Sequence, residues 1–237
     1  MMDSQLLKIE KLNVFHGSSH TLQDIDVSMG NKPKAILGRN GMGKTTLCSA
    51  LVGLTKMASG HVFLERHDIS LFPPEQRAKA GIGYVPQGRR MFRSLSVLEH
   101  LKLVERKNTN WPIDRIFSIF PRLAERKSNM GDRLSGGEQQ MLAISRALML
   151  DPKLMIMDEP TEGLAPTIVD DVTELLLSLQ AEGIGLLLVE QNISVALEAA
   201  EDILIMVNGR IINEVKADTL KDNPEMQQEY LGITFSD

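Results

Sequence analysis

The stretch Ile36–Leu47, ILGRNGMGKTTL, runs from apolar residues into three glycines and ends on Lys-Thr-Thr. The spacing Gly38-x-x-x-x-Gly43-Lys44-Thr45 lies where an apolar strand should feed a helix. Lacking Cβ atoms, Gly38, Gly41 and Gly43 can turn tightly and let successive backbone N–H groups approach a polyphosphate. The helix that follows aims its positive end at the same anion. The cradle is expected to span Gly38, Arg39, Asn40, Gly41, Gly43, Lys44, Thr45 and Thr46, with Lys44 reaching the β- and γ-phosphates and the Thr45 hydroxyl on Mg²⁺. Strand, full spacing and helix occur in the required order, which a chance glycine turn does not supply.

Outward from this loop, Lys34–Leu37 reads as the incoming strand and Thr45–Val52 as a short helix ended by Gly53. Leu6–Val14 alternates as a half-buried strand does, and Ile25–Met29, Val62–Leu64 and Ile82–Val85 are further strand candidates. From Gly88 to about Leu150 helical periodicity takes over, with Met141, Leu142, Ser145, Leu148 and Met149 on one face. Asp151-Pro152 ends that helix. Leu154–Met157 and Leu186–Val189 are apolar at every position, as parallel strands covered on both faces are. Between them Pro166 opens a helix whose stripe is Ile168, Val169, Val172, Leu175, Leu176 and Leu179, with Gly183 as its C-cap. Asn208-Gly209 between two apolar runs predicts a hairpin, and 218–231 looks helical. The expected fold class is α/β, with a mostly parallel sheet, an N-terminal antiparallel part and a helical insertion. One domain over 1–237 is expected: core 1–87 and 151–217, helical part 88–150, helical tail 218–237.

At 237 residues and 43% hydrophobic, the chain can bury a sizeable core. A net charge of −5 and a pI near 5.6 argue against a nucleic-acid partner, and the cluster Arg89-Arg90-x-x-Arg93 reads as a solvated or partner-facing patch. The single cysteine, Cys48, excludes a disulfide framework within the chain and reads as a small core residue. The start MMDSQLLKIEKLNVF lacks the apolar core of a signal peptide, and no apolar run approaches the ~20 residues that span a bilayer. A cytosolic location is the expectation. His20, His61, His67 and His100 show no metal-ligand spacing, and Trp111 reads as packing.

A second chemical feature ends the run Leu154-Met155-Ile156-Met157 with Asp158-Glu159. Ligands of parallel sheets collect at the carboxyl ends of strands. Asp158 can hold Mg²⁺ there, and Glu159 is placed to orient and deprotonate an attacking water. Phosphoryl transfer asks little more of a protein than positioning and neutralisation of charge.

Phosphate loops serve many activities, and Leu134-Ser135-Gly136-Gly137-Glu138-Gln139-Gln140 narrows them. Ser135-x-x-Glu138 is a capping box for the helix that follows, and its glycine-rich start is a second anion site built without lysine. LSGGEQQ, the phosphate loop and LMIMDEP together resemble the ATP-binding cassette (ABC) ATPases over nearly the whole chain. The resemblance implies ATP as ligand and Mg²⁺ as cofactor. It also implies head-to-tail pairing of two cassettes, in which Ser135, Gly136, Gly137 and Glu138 of one face the nucleotide on the phosphate loop of the other. Gln87, in YVPQGRR, matches the family's glutamine that touches Mg²⁺ and the attacking water. His16, before Gly17, stands where an adenine-stacking aromatic is usual, with Phe15 beside it as the alternative. Thr161-Glu162-Gly163-Leu164-Ala165 occupies the interface loop without its usual Ser-x-Leu-Asp. Gln191 replaces the usual switch histidine, which implies slower or differently regulated hydrolysis.

Because the chain carries no membrane span, the resemblance implies a motor for separate membrane permeases, held peripherally at the inner face of the membrane. The coupling groove for those permeases would lie in the insertion that begins at Gln87. VPQGRRMF, FPRL, LSGGEQQMLAI, EGLAP and VEQN are similar to the ATPases of branched-chain amino acid importers, whose near relatives serve urea and short amides. That implies a paired second ATPase, identical or paralogous, and an extracytoplasmic solute-binding protein acting indirectly. A soluble ABC ATPase acting on DNA or ribosomes is the alternative class. It usually has two cassettes or a long coiled-coil insertion, and neither is present. A phosphate-loop kinase or plain binding module would not explain LSGGEQQ.

Overall fold

The computed structural model describes residues 5–231, so positions 1–4 and the end of the expected tail, 232–237, lie outside the described residues. Two sheets form the framework. The first is antiparallel, in the order β2 (Ser19–Met29), β1 (Leu7–His16), β4 (Ser59–Leu64), β5 (His67–Asp68). The second has six strands, ordered β10 (Arg210–Lys216), β9 (Asp202–Val207), β3 (Lys34–Leu37), β8 (Gly185–Glu190), β7 (Leu154–Asp158), β6 (Ile82–Val85). All its neighbours run parallel except the β9–β10 hairpin.

The apolar character of β7 and β8 follows from what covers them. Alternate side chains of a strand face opposite sides, and here each side meets a core. Met155, Met157, Leu186 and Leu188 pack with Leu142, Leu148, Leu176 and Val195 of the helices α6 (Gly136–Leu148), α7 (Pro166–Ala181) and α8 (Ile193–Ala199). Leu154, Ile156, Leu187 and Val189 pack with α1 (Lys44–Leu51) and with Leu7, Ile9 and Leu22 of the antiparallel sheet. Cys48 belongs to this second core, and burial pushes its thiol well above the usual range.

Between β6 and β7 the described structure is helical: α3 (Val97–Lys102), α4 (Ile113–Ile119), α5 (Pro121–Glu125) and α6. Trp111 is buried there, with the Arg115 guanidinium 3.9 Å from its ring centroid. Asn208 and Gly209 both take positive φ, 47° and 76°, as the hairpin signal requires. This turn ties down the phosphate loop, because Gly209 N–H donates to Met42 O at 2.9 Å. The tail contains α9 (Ala217–Lys221) and α10 (Pro224–Leu231).

Two elements escape the periodicity argument. The short helices α2 (Pro74–Ala80) and α8 have too few turns to show a stripe. From α2, Arg77 is buried and donates to Ala50 O and Leu51 O, both at 2.8 Å. Gly53 N also donates to Ala50 O at 3.1 Å, so Arg77 adds a second bond there and supplies one at Leu51 O, among the last carbonyls of the helix. A residue that looks like surface charge in the sequence anchors the helix that starts at Lys44.

Candidate functional site

Four strand ends and one helix start converge. Gly43 caps α1 with φ 104°, a conformation open to glycine and strained for any other residue. Gly38 has a different reason to be glycine from the turn expected above: a Cβ there would lie 2.5 Å from Met206 O on β9. Close packing of the loop on the sheet, not a left-handed turn, fixes that position. The Lys44 side chain is 4% exposed, and its Nζ donates to Gly38 O at 2.7 Å and Arg39 O at 3.2 Å. Its counter-ion is Glu159, with Oε1 at 3.2 Å.

Asp158 and Glu159 leave the end of β7 in different surroundings. Thr45 Oγ1 donates to Asp158 Oδ1 at 3.3 Å, and Asp158 Oδ2 is buried with no hydrogen-bond partner. Burial pushes the Asp158 carboxyl up to about 6, with the Thr45 hydrogen bond opposing it. Glu159 has φ 50°, a costly backbone state held by its N–H donating to Val189 O at 2.8 Å. Its Oε2 accepts from Gln87 Nε2 at 3.0 Å and from Gln191 Nε2 at 2.6 Å. Gln87 Nε2 also donates to Glu162 Oε2 at 2.9 Å.

A cavity of about 330 Å³ opens over this cluster, walled by Thr21, Asn40, Gly41, Thr45, Thr46 and Gln87, with Lys44 and Glu159 at its base. The donor set fits Mg²⁺ held with a triphosphate: one buried carboxylate with an orphan oxygen, one hydroxyl, and the Gln87 amide at the cavity wall. Among the described residues no group of three or more His, Cys, Asp or Glu could hold a metal unaided.

Other candidate residues stand apart from this cavity. Ser135 and Glu138 form the full capping box at the start of α6: Glu138 N donates to Ser135 Oγ at 3.3 Å, and Ser135 N to Glu138 Oε2 at 2.7 Å. Ser135, Gly137 and Glu138 wall a separate, more apolar cavity of about 390 Å³ between α5, α6 and α7. His16 is exposed at the end of β1. Phe15 is half exposed, and its ring stacks on His20 at 4.2 Å between centroids. Neither His16 nor Phe15 walls the cavity over the phosphate loop.

One important carboxylate goes unnoticed in the sequence. Glu190, buried at the end of β8, accepts from Thr161 N and Thr161 Oγ1 on Oε1 at 3.2 and 2.7 Å. On Oε2 it accepts from Gln191 N at 3.1 Å and Asn192 N at 3.2 Å. Burial raises its pKa against these four hydrogen bonds. It thus fixes both loops that flank Glu159. The available signal was its place after Leu186–Val189, matching that of Asp158 after Leu154–Met157.

Comparison with known proteins follows the same outline. Residues 22–162 match the ABC transporter family model. The high-affinity branched-chain amino acid transport ATP-binding protein BraG of Pseudomonas aeruginosa is 37% identical over 96% of this chain and all of its own length. The lipopolysaccharide export system ATP-binding protein LptB of Acidithiobacillus ferridurans is 32% identical, over 98% of this chain and 99% of its own. The structure of a nucleotide-free ATP-binding cassette from an ABC transporter superposes with a TM-score of 0.82 at 27% identity, covering 97% of this chain and all of that one. Among the described residues no helix is long and apolar enough to cross a membrane. The phosphate loop over a buried Asp-Glu pair, the capped LSGGEQQ helix and the end-to-end similarity place this chain in the ABC transporter family, as the ATP-binding, ATP-hydrolysing subunit of a transporter.

Proposed function

We propose that this chain energises an importer of branched-chain amino acids, working as one of a pair of cassettes beneath separate permease subunits at the cytoplasmic face of the membrane. The observation that carries the cargo assignment is the 37% identity with BraG across both full lengths. The lower identity with LptB supports the same motor role for a different cargo, and urea or short amides remain the alternative by motif resemblance. In the segment after Gln87, Phe92 and Leu103 expose 58% and 62% of their surface, which supports a permease docking face there.

In the proposed site, Lys44 leaves Glu159 when a triphosphate enters, since the phosphate offers it a denser anion. Glu159 is then free to take a proton from the water that attacks the γ-phosphate. Gln87 and Gln191, both donors to Oε2, keep the carboxylate oriented. Thr45, Asp158 and Gln87 are the residues that would hold Mg²⁺, which supplies neutralisation of phosphate charge. Ser135, Gly136, Gly137 and Glu138 of the second chain complete the site. His16, or Phe15, would lie against adenine.

Uptake of labelled leucine, isoleucine and valine, measured in host cells whose only copy carries Glu159→Gln, tests this reading. The expected result is loss of uptake for these three and unchanged uptake of urea. Normal uptake of all three would overturn the cargo assignment. An active wild-type chain whose Glu159→Gln form still hydrolyses ATP would overturn the role of Glu159.

A further inference from the structure

The residue pair on either side of Gly88 grips one turn. Gln87 Nε2 donates to the Glu162 side chain at 2.9 Å, and Arg89 Nη2 donates to the Glu162 main-chain carbonyl. Gly88 and Arg89 have φ 85° and 48°, two consecutive left-handed residues that bring both side chains to the same loop. The guanidinium fills space that two glycines leave. A Cβ on Gly136 would lie 2.7 Å from Arg89 Nη1, and a Cβ on Gly163 would face Arg89 Nη2 at 3.6 Å. Leu164 is also close, its Cδ2 3.8 Å from the same Gly136 Cβ position.

From this juxtaposition we infer that Arg89 is a positioning residue that joins the loop after Glu159 to the LSGGEQQ helix, so that both present themselves to a second chain's nucleotide as one unit. The inference rests on the pairing proposed above. An isolated surface arginine contact contributes little to stability, which is why the role is positional. A guanidinium suits it because its planar fork can serve a carbonyl on one edge while its other edge packs over glycine. A lysine offers only a point charge. The loop departs here from the usual Ser-x-Leu-Asp, and its Glu162-Gly163 supplies both the carbonyl and the room that Arg89 uses.

The test compares wild type, Arg89→Ala and Arg89→Lys. Amide hydrogen exchange on the nucleotide-free chain should quicken at Glu162–Leu164 and Gly136–Gly137 in Arg89→Ala, with the phosphate loop and the melting midpoint unchanged. Steady-state hydrolysis should lose about tenfold to a hundredfold in kcat, the scale of a small misplacement. The Kd for ATP should stay within about twofold, since Lys44 and its loop are untouched. Arg89→Lys should recover part of the loss. Unchanged exchange at both glycine segments would overturn the inference, as would a wild-type kcat in Arg89→Ala. A wild-type chain that neither pairs nor hydrolyses ATP would overturn the proposed function itself, a result separable from either of those.

Discussion

Lys44 and Glu159 form a buried ion pair, with Nζ 3.2 Å from Oε1 and side-chain exposures of 4% and 5%. The cation of the phosphate loop and the carboxylate that follows β7 neutralise each other. The pair explains how a cation and a carboxylate can both be held out of water, since either one alone would be costly. On the proposed reading, an entering nucleotide competes with Glu159 for Lys44.

Glu159→Gln removes the carboxylate that holds Lys44 and keeps a hydrogen-bonding group of the same size. The expected outcome is turnover lower by about 10²–10⁴-fold, with ATP affinity equal to or tighter than wild type. Under saturating Mg-ATP the variant should accumulate as a pair, alone or with a sister ATPase, measured by light scattering. A variant that stays monomeric in both settings would remove the composite site from the mechanism.

Asp158 supplies a stability prediction. Its pKa rises from the usual 3.8 to about 6 because burial disfavours the charge. A carboxyl raised on folding contributes stability below its unfolded value, and that contribution is lost as pH climbs through about 6. At neutral pH the ionised Asp158 therefore costs the fold about 3 kcal/mol. Asp158→Asn should raise the nucleotide-free melting midpoint at pH 7 and leave it nearly unchanged near pH 4. The same variant should lose the extra stabilisation that Mg²⁺ adds to ATP. No gain at pH 7 would show that the charge is better compensated than its orphan Oδ2 indicates.

What could be read in advance follows the physics of each element. Leu154–Met157 and Leu186–Val189 announce themselves because a strand covered on both faces must be apolar throughout, and the glycine loop because few other ligands demand that spacing. Arg77, Glu190 and Arg89 stayed hidden for the opposite reason. Each is charged, and a charge in sequence reads as a solvated face until tertiary contacts show what it ties together. Gly38 was identified as part of the loop, yet its cause is contact with Met206 O across the sheet, which local spacing cannot reveal.

His100 gives an acid-side prediction. It is buried, its Nδ1 lies 2.8 Å from Ser96 O, and its Nε2 accepts from Phe92 N at 3.0 Å. Burial lowers its pKa below the usual 6.5, helped by Arg146 and opposed by the Ser96 carbonyl and Glu99. A depressed value means stability present above pH 6.5 and lost as pH falls through the folded value. Protonation would leave Phe92 N–H unbonded, at about 1 kcal/mol. Urea midpoints measured from pH 7.5 to 5 should therefore fall less for His100→Gln, which keeps an acceptor without a titrating charge, than for wild type. Parallel curves would assign the acid sensitivity elsewhere.

Gln191 donates to Glu159 Oε2 at 2.6 Å from the end of β8, in a loop that Glu190 holds by two backbone hydrogen bonds. An amide there can orient the carboxylate, but it cannot exchange a proton with it. Gln191→His restores a titratable ring within hydrogen-bond reach of Glu159, in the range where histidine changes charge. The hydrolysis rate should change and its pH profile should gain a limb between about pH 6 and 7, while ATP affinity stays as in wild type. Gln191→Ala should lower kcat without adding that limb, because it removes the donor and supplies no proton. If Gln191→His reproduces the wild-type rate and profile, residue 191 does not govern the proton traffic of Glu159. Gln87 alone would then orient the carboxylate.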